Sequence, residues 1–111
     1  MGEASTPKAT IVVPVYNSIS SIQRCLDSLL AQSERSIQVV CVNDGSADDS
    51  LRVLRQIAQT DDRVLVIDQK NAGVSCARNA GIDAAGGEVV FFVDADDYVD
   101  AQTVERVLQA M

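Results

Sequence analysis

The sequence predicts an α/β fold, a mainly parallel sheet flanked by helices on both faces, and three observations carry that expectation. Short runs of Val, Ile and Phe alternate with stretches of helical spacing, the connections between them are short, and the 111 residues contain no linker, repeat or low-complexity tract. The apolar runs Ala9–Val15, Ile37–Val42, Val64–Ile67 and Glu88–Val93 lack the polar alternation of a half-solvated strand. They read as strands covered on both faces.

Between the runs, Ile19, Ile22, Leu26, Leu29 and Leu30 follow one helical stripe, and Leu51, Leu54, Ile57 and Ala58 follow a second. Ser46-Ala47-Asp48-Asp49 has the form of a capping box at the start of that second helix. The third helical segment, Val74–Ala85, is rich in Ala and less periodic. Val104, Val107, Leu108 and Met111 mark a fourth, with Asp100 placed to cap it. The order is β-α-β-α-β-α-β-α, and right-handed crossovers then give parallel strands. The domain is expected over residues 9–111, and the polar residues 1–8 are expected to be a disordered or vector-derived lead-in.

Composition excludes several classes of function. The net charge is −7 and the nine Lys and Arg form no run, which argues against nucleic acid or an anionic membrane as a partner. The chain has no His, so His general bases, Ser-His triads and most zinc sites are absent with it. Cys25, Cys41 and Cys76 lie far apart and fit small hydrophobes in a reducing compartment; a cytoplasmic location is expected. No stretch approaches the roughly 18 apolar residues of a membrane span.

Open α/β sheets bind ligands at the carboxyl ends of their strands. The unusual residues of this chain follow the apolar runs: Pro14-Val15-Tyr16-Asn17 after the first, Asn43-Asp44-Gly45-Ser46 after the second and Asp94-Ala95-Asp96-Asp97 after the fourth. The carboxylates of Asp94, Asp96 and Asp97 repel one another unless a cation or solvent relieves them, and their oxygens suit Mg²⁺ or Mn²⁺. The alternative is a solvated turn in which Asp97 or Asp100 caps the next helix. Asp44, followed by Gly45, either accepts hydrogen bonds from a base or ribose or fixes a turn. Tyr16 offers a flat face to a base, or is a half-buried residue at a strand end. Arg78 either reaches a diphosphate or pairs with Asp96 or Asp44.

Together, Ile11-Val12-Val13-Pro14-Val15-Tyr16-Asn17, Val42-Asn43-Asp44-Gly45-Ser46, Asn71-Ala72-Gly73, Ala77-Arg78-Asn79 and Asp94-Ala95-Asp96-Asp97 resemble the family 2 glycosyltransferases in order and spacing, from about Thr10 to the end. The resemblance implies the Rossmann-like, nucleotide-binding half of a GT-A fold. It implies that Pro14 and Tyr16 border the uridine, that Asp44 binds the uracil, and that Asp96 lies by the ribose and metal. Asp97 would hold the metal on the diphosphate, Asp94 would open the DxD motif, and Arg78 would lie near the diphosphate or an acidic partner. Asn43 stands where the family commonly has a second Asp.

The implied reaction is transfer of a sugar from a nucleoside diphosphate sugar, expected to be a UDP-sugar, to a glycan, lipid or other hydroxyl acceptor with inversion. The resemblance also places the acceptor site and general base in a later segment, so the fragment is expected to be inactive alone. Two rival functions remain at this level. A phosphohydrolase of the haloacid dehalogenase type also uses DxD, but after its first strand and with Thr or Val where this chain has Tyr98. A stand-alone nucleotide-binding or self-associating module would form a homodimer through the exposed sheet edge at the fourth strand. A dinucleotide oxidoreductase lacks its GxGxxG after the first strand.

Overall fold

The four apolar runs form four parallel strands, β1 (Ala9–Val15), β2 (Ile37–Asp44), β3 (Val64–Gln69) and β4 (Val89–Phe92), in the order β3-β2-β1-β4. The computed structural model describes residues 6–111. Residues 1–5 of the expected lead-in lie outside the described residues. Within the rest of it, the Lys8 amide donates to Ser36 O at 2.9 Å and Pro7 O accepts from the Glu88 amide at 3.3 Å.

The helices are α1 (Ile22–Leu30), α2 (Ser50–Thr60), α3 (Val74–Ala84) and α4 (Thr103–Gln109). Their distribution follows from strand order. The steps from β1 to β2 and from β2 to β3 run the same way across the sheet, so right-handed crossovers put α1 and α2 on one face. The step from β3 back to β4 runs the other way and puts α3 on the opposite face. Side-chain alternation confirms the two layers. Ile11, Val13, Val15, Val39 and Cys41 pack with Ile22, Cys25, Leu26 and Leu29 of α1, Leu54 and Ile57 of α2 and Val104 of α4. Val12, Val40 and Val42 pack with Ala77 of α3 on the other side.

The structure differs from the sequence expectation at several element ends. β2 extends through Asn43 and Asp44, because β3 also continues and pairs Asn43 with Asp68 and Asp44 with Gln69. β4 is shorter than expected, and as edge strands β3 and β4 are only half covered; Phe92 is 41% exposed. Ile19 precedes α1 and is exposed rather than part of its buried stripe. The capping box does not form: Ser46 Oγ accepts from the Asn17 amide, and Asp48 Oδ1 accepts from the Ser50 amide. Asp100 does not cap α4 either. Its Oδ1 accepts from the Gln102 amide, one residue before the helix begins.

Cys25 and Cys41 are fully buried in the α1–α2 layer. Burial, then the carboxylates of Asp97, Asp96 and Asp94, push the Cys25 thiol from 9.0 up to about 12. Burial chiefly, then Cys25, pushes the Cys41 thiol up as well. Both thiols stay protonated in the folded chain while they ionise in the unfolded one, so stability is intact below pH 9 and is lost as pH rises from there toward the folded values. Each thiol contributes a slope of about −1.4 kcal/mol per pH unit in that window. Urea unfolding at pH 8, 9 and 10 is expected to show the decline and Cys25→Ala to halve the part due to thiols. An unfolding free energy that is flat across this range contradicts the assignment.

Candidate functional site

The sheet reverses its winding between β1 and β4, and open sheets bind ligands at such switch points. A cleft of about 740 Å³ lies there, at the carboxyl ends of β1, β2 and β4. Its lining includes Pro14, Tyr16, Asp44, Gly73, Asp94 and Asp96. Five of the seven sequence-predicted site residues thus share one cavity, and its size is that of a small-molecule site. Tyr16 is 56% exposed, so its ring has a free face.

The loops around the cleft are tied to one another rather than free. Asn17, with φ of +50°, donates its amide to Ser46 Oγ at 2.9 Å and accepts from the Ala47 amide through Oδ1 at 2.7 Å. The Ser18 amide donates to the buried Ser50 Oγ, and the Ile19 amide to Asp48 Oδ2. The turn after β1 is therefore held by the turn after β2, and Tyr16 is presented from a fixed backbone.

Asp44 is only 4% exposed and is fully engaged with the loop after β3. Its Oδ1 accepts from the Ala72 amide at 2.8 Å and from Gln69 Nε2 at 3.0 Å, and its Oδ2 accepts from the Gly73 amide at 3.0 Å. Asn71 Nδ2 donates to Asp44 O. Burial pushes the carboxyl up, but the hydrogen bonds from Gln69, Ala72 and Gly73 outweigh it and hold the group below its ordinary value. Asp44 is ionised at neutral pH. Gly45 is required beside it, with φ of +74° and with the Asn71 amide nitrogen 2.7 Å from where a Cβ would sit.

The acidic loop has a different support. The segment between β4 and α4 is irregular, and its backbone groups need partners that no ladder supplies. A polar stripe along α1 and its flanks provides them. Ser21 Oγ donates to Ala95 O at 2.9 Å, the Cys25 thiol to Asp94 O at 3.6 Å, and Ser28 Oγ accepts from the Val99 amide at 3.1 Å. Gln32, 1% exposed, donates to Asp100 O at 2.7 Å and accepts from the Val104 amide at 2.9 Å. That last bond satisfies a free N–H in the first turn of α4. Sequence reasoning missed these residues; their only signal was the spacing of small polar groups at 21, 25, 28 and 32, one helical stripe.

The loop so held presents Asp94, Asp96 and Asp97 to solvent, with one oxygen of each within 4.8 Å of the others. Mg²⁺ and Mn²⁺ bind oxygens at roughly 2.1 Å, which needs neighbouring ligands roughly 3 Å apart, a side-chain rotation away. The exposed, all-oxygen donor set fits a hard cation that keeps water and phosphate in its shell. Asp97 is the one carboxylate of the three outside the cleft lining. Arg78 also stands at the rim. Its nearest acid is Asp94, with Nη2 to Oδ1 at 3.9 Å, rather than the Asp96 or Asp44 expected. The guanidinium lies 5.6 Å from the Phe92 ring centroid, and Arg78 Nε is buried without a partner. Such a loosely held arginine is available to another anion.

A parallel sheet with a 3-2-1-4 order, a cleft at its switch point and an Asp-Ala-Asp loop at its rim is the arrangement of the nucleotide-binding part of a GT-A fold. The chain belongs to the glycosyl transferase family 2, whose model matches residues 10–111. It is 44% identical over 100 residues to the glycosyltransferase GlyA of Streptococcus pneumoniae, covering 90% of this chain and 14% of that protein. Among solved structures it resembles S. aureus TarS 1–349 in complex with UDP, at 31% identity and a TM-score of 0.83, covering 92% of this chain and 31% of that one. It also resembles the mannosyltransferase PcManGT from Pyrobaculum calidifontis in complex with GDP-Man and Mn²⁺, at 27% identity and a TM-score of 0.81, covering 91% and 31%. The chain therefore spans less than a third of the length of each of these proteins. Family membership sets aside the phosphohydrolase alternative. Among the described residues, no helix is long and apolar enough to cross a membrane.

Proposed function

We propose that this chain is the donor-binding part of a glycosyltransferase that moves a sugar from a UDP-sugar to an acceptor hydroxyl, with inversion and with a divalent cation. The observation that carries the proposal is the convergence of three groups on one cleft: the buried, ionised Asp44, the open ring of Tyr16 and the three-carboxylate loop.

Each group has a task. An ionised carboxylate has about four acceptor positions, and three donors already occupy Asp44. The position left can only accept, so it favours a base with a ring N–H on its pairing edge, such as uracil. Cytosine, with a bare ring nitrogen there, would leave two acceptors facing each other. Tyr16 and Pro14 form the wall on which the base stacks. Asp96 and Asp97, with Asp94, hold Mg²⁺ or Mn²⁺, and Arg78 exchanges Asp94 for a diphosphate oxygen. The bound cation would offset charge that builds on the leaving diphosphate. The UDP of the TarS complex and the GDP-Man and Mn²⁺ of the PcManGT complex support this choice of ligands.

The acceptor, a glycan, lipid or other hydroxyl compound, and the general base are assigned to sequence outside these residues, and the chain alone is expected to turn over little. Homodimer formation belongs to the same proposal: β4 ends the sheet and, among the described residues, pairs on one side only.

Calorimetric titration in the presence of Mn²⁺ tests the base-binding role. UDP is expected to bind at least about tenfold more tightly than CDP, the cost of one mismatched buried acceptor. Equal affinities contradict the role of Asp44.

A further inference from the structure

Ser21 occupies the N-cap position of α1, where a serine ordinarily accepts a hydrogen bond from the first turn of its own helix. Here it does not: no side-chain capping bond is made. Its hydroxyl points away from the helix and donates to Ala95 O at 2.9 Å, with a longer contact of 3.4 Å to Ser18 O. Ala95 is the residue between Asp94 and Asp96, and it is 5% exposed. Ala95 and Asp96 sit in a tight turn, so fixing the Ala95 carbonyl fixes the planar peptide between them and, with it, the direction in which the exposed Asp96 side chain leaves the backbone. Four residues along, the Cys25 thiol holds the carbonyl of Asp94 in the same manner. The turn is then closed by the Asp97 amide on Asp94 O at 3.0 Å. Ser21 also lines the cleft, so the same residue touches the space where the donor binds and the backbone that carries the carboxylates.

We infer that Ser21 is a positioning residue: its hydroxyl, by anchoring Ala95 O, sets the spread of Asp94, Asp96 and Asp97 at which they capture a divalent cation. The inference rests on the donor-binding function proposed above and assigns no contact between Ser21 and the metal. Groups that orient ligands from behind contribute to metal affinity through geometry, and their loss costs about 10-fold or more. The helix itself gives up a cap to make this contact, so the contact serves the loop more than α1.

The experiment is a Mn²⁺ titration of the whole chain in the presence of UDP, read from the electron paramagnetic resonance signal of free Mn²⁺, on wild type, Ser21→Ala, Ser21→Thr and Asp97→Asn. Thermal unfolding and amide hydrogen exchange at Asp96 and Asp97 are followed without metal. Ser21→Ala is expected to weaken Mn²⁺ binding about 10-fold and to speed exchange at both amides, while Ser21→Thr, which keeps the hydroxyl, stays within about twofold of wild type. Wild-type Mn²⁺ affinity in Ser21→Ala overturns the inference, as does equal weakening in Ser21→Ala and Ser21→Thr. A wild-type chain that binds Mn²⁺ no better than Asp97→Asn overturns the donor-binding function itself, and the inference with it. The two failures are thereby separate results.

Discussion

Replacing Asp44 by alanine is expected to destabilise the chain by about 3 kcal/mol and to abolish nucleotide binding. The Ala72 and Gly73 amides and the Gln69 amide group all donate to this one carboxylate, and the substitution leaves them without an acceptor at a site that is 4% exposed. Each such orphan costs about 1–3 kcal/mol, reduced where water can enter from the cleft. The loop after β3 would loosen, and with it the start of α3. Asp44→Asn separates the two effects. It keeps one acceptor but turns an NH₂ group toward a donor, so part of the stability returns while the charge and the base contact do not. Urea unfolding and UDP calorimetry on both variants check this, and an Asp44→Ala chain of wild-type stability contradicts it.

The second large effect concerns Gly81. It is buried in α3 where the helix crosses β1, and a Cβ built there would overlap Val12 Cγ1 and lie 3.0 Å from Cγ2. Val12 is fully buried in a central strand and has nowhere to go. Gly81→Val therefore forces α3 off the sheet, at a cost on the order of 3 kcal/mol. The displacement carries Val74 and Ala77, which line the cleft, so affinity for nucleotide is expected to fall in parallel. Cutting Val12 back to Ala in the same chain should restore part of both, a coupling of about 1 kcal/mol or more in a double-mutant cycle. Strict additivity of the two substitutions contradicts close contact between Gly81 and Val12 as the cause.

The fold was legible wherever local pattern and tertiary surroundings agree. β1 is apolar but for the buried Thr10 because layers on both faces bury it, so its bounds follow from Ala9–Val15 alone. The end of β2 was not legible. Asn43 and Asp44 read as a turn from composition, yet β3 continues opposite them and the polar pair stays in the ladder. Ser46 and Asp48 read as a local cap, but the turn after β1 offers the competing donors Asn17 N and Ile19 N, which lie 29 residues away in sequence. No local spacing records such a contact. The same holds for Arg78, whose partner is decided by how α3 lies over β4.

The acidic loop was legible as chemistry, since three carboxylates after an apolar strand point to a cation whatever surrounds them. Its support was not. Ser21, Ser28 and Gln32 look like ordinary solvated positions until the chain from Asp94 to Val104 is laid along α1. A single sequence gives the period of a helix face but not the backbone that the face will meet.

The most direct test of the donor site is amide chemical-shift mapping with UDP, with and without Mg²⁺, on wild type and Asp97→Asn. Shifts centred on Tyr16, Asp44, Gly73 and Asp96 are expected, enlarged by Mg²⁺ in the wild type, with that increment lost in Asp97→Asn. Unmoved amides at these residues at about 1 mM UDP, an affinity floor of about −4 kcal/mol, contradict the donor site. So do shifts that gather instead at a second cleft, around Lys8, Glu34 and Glu88.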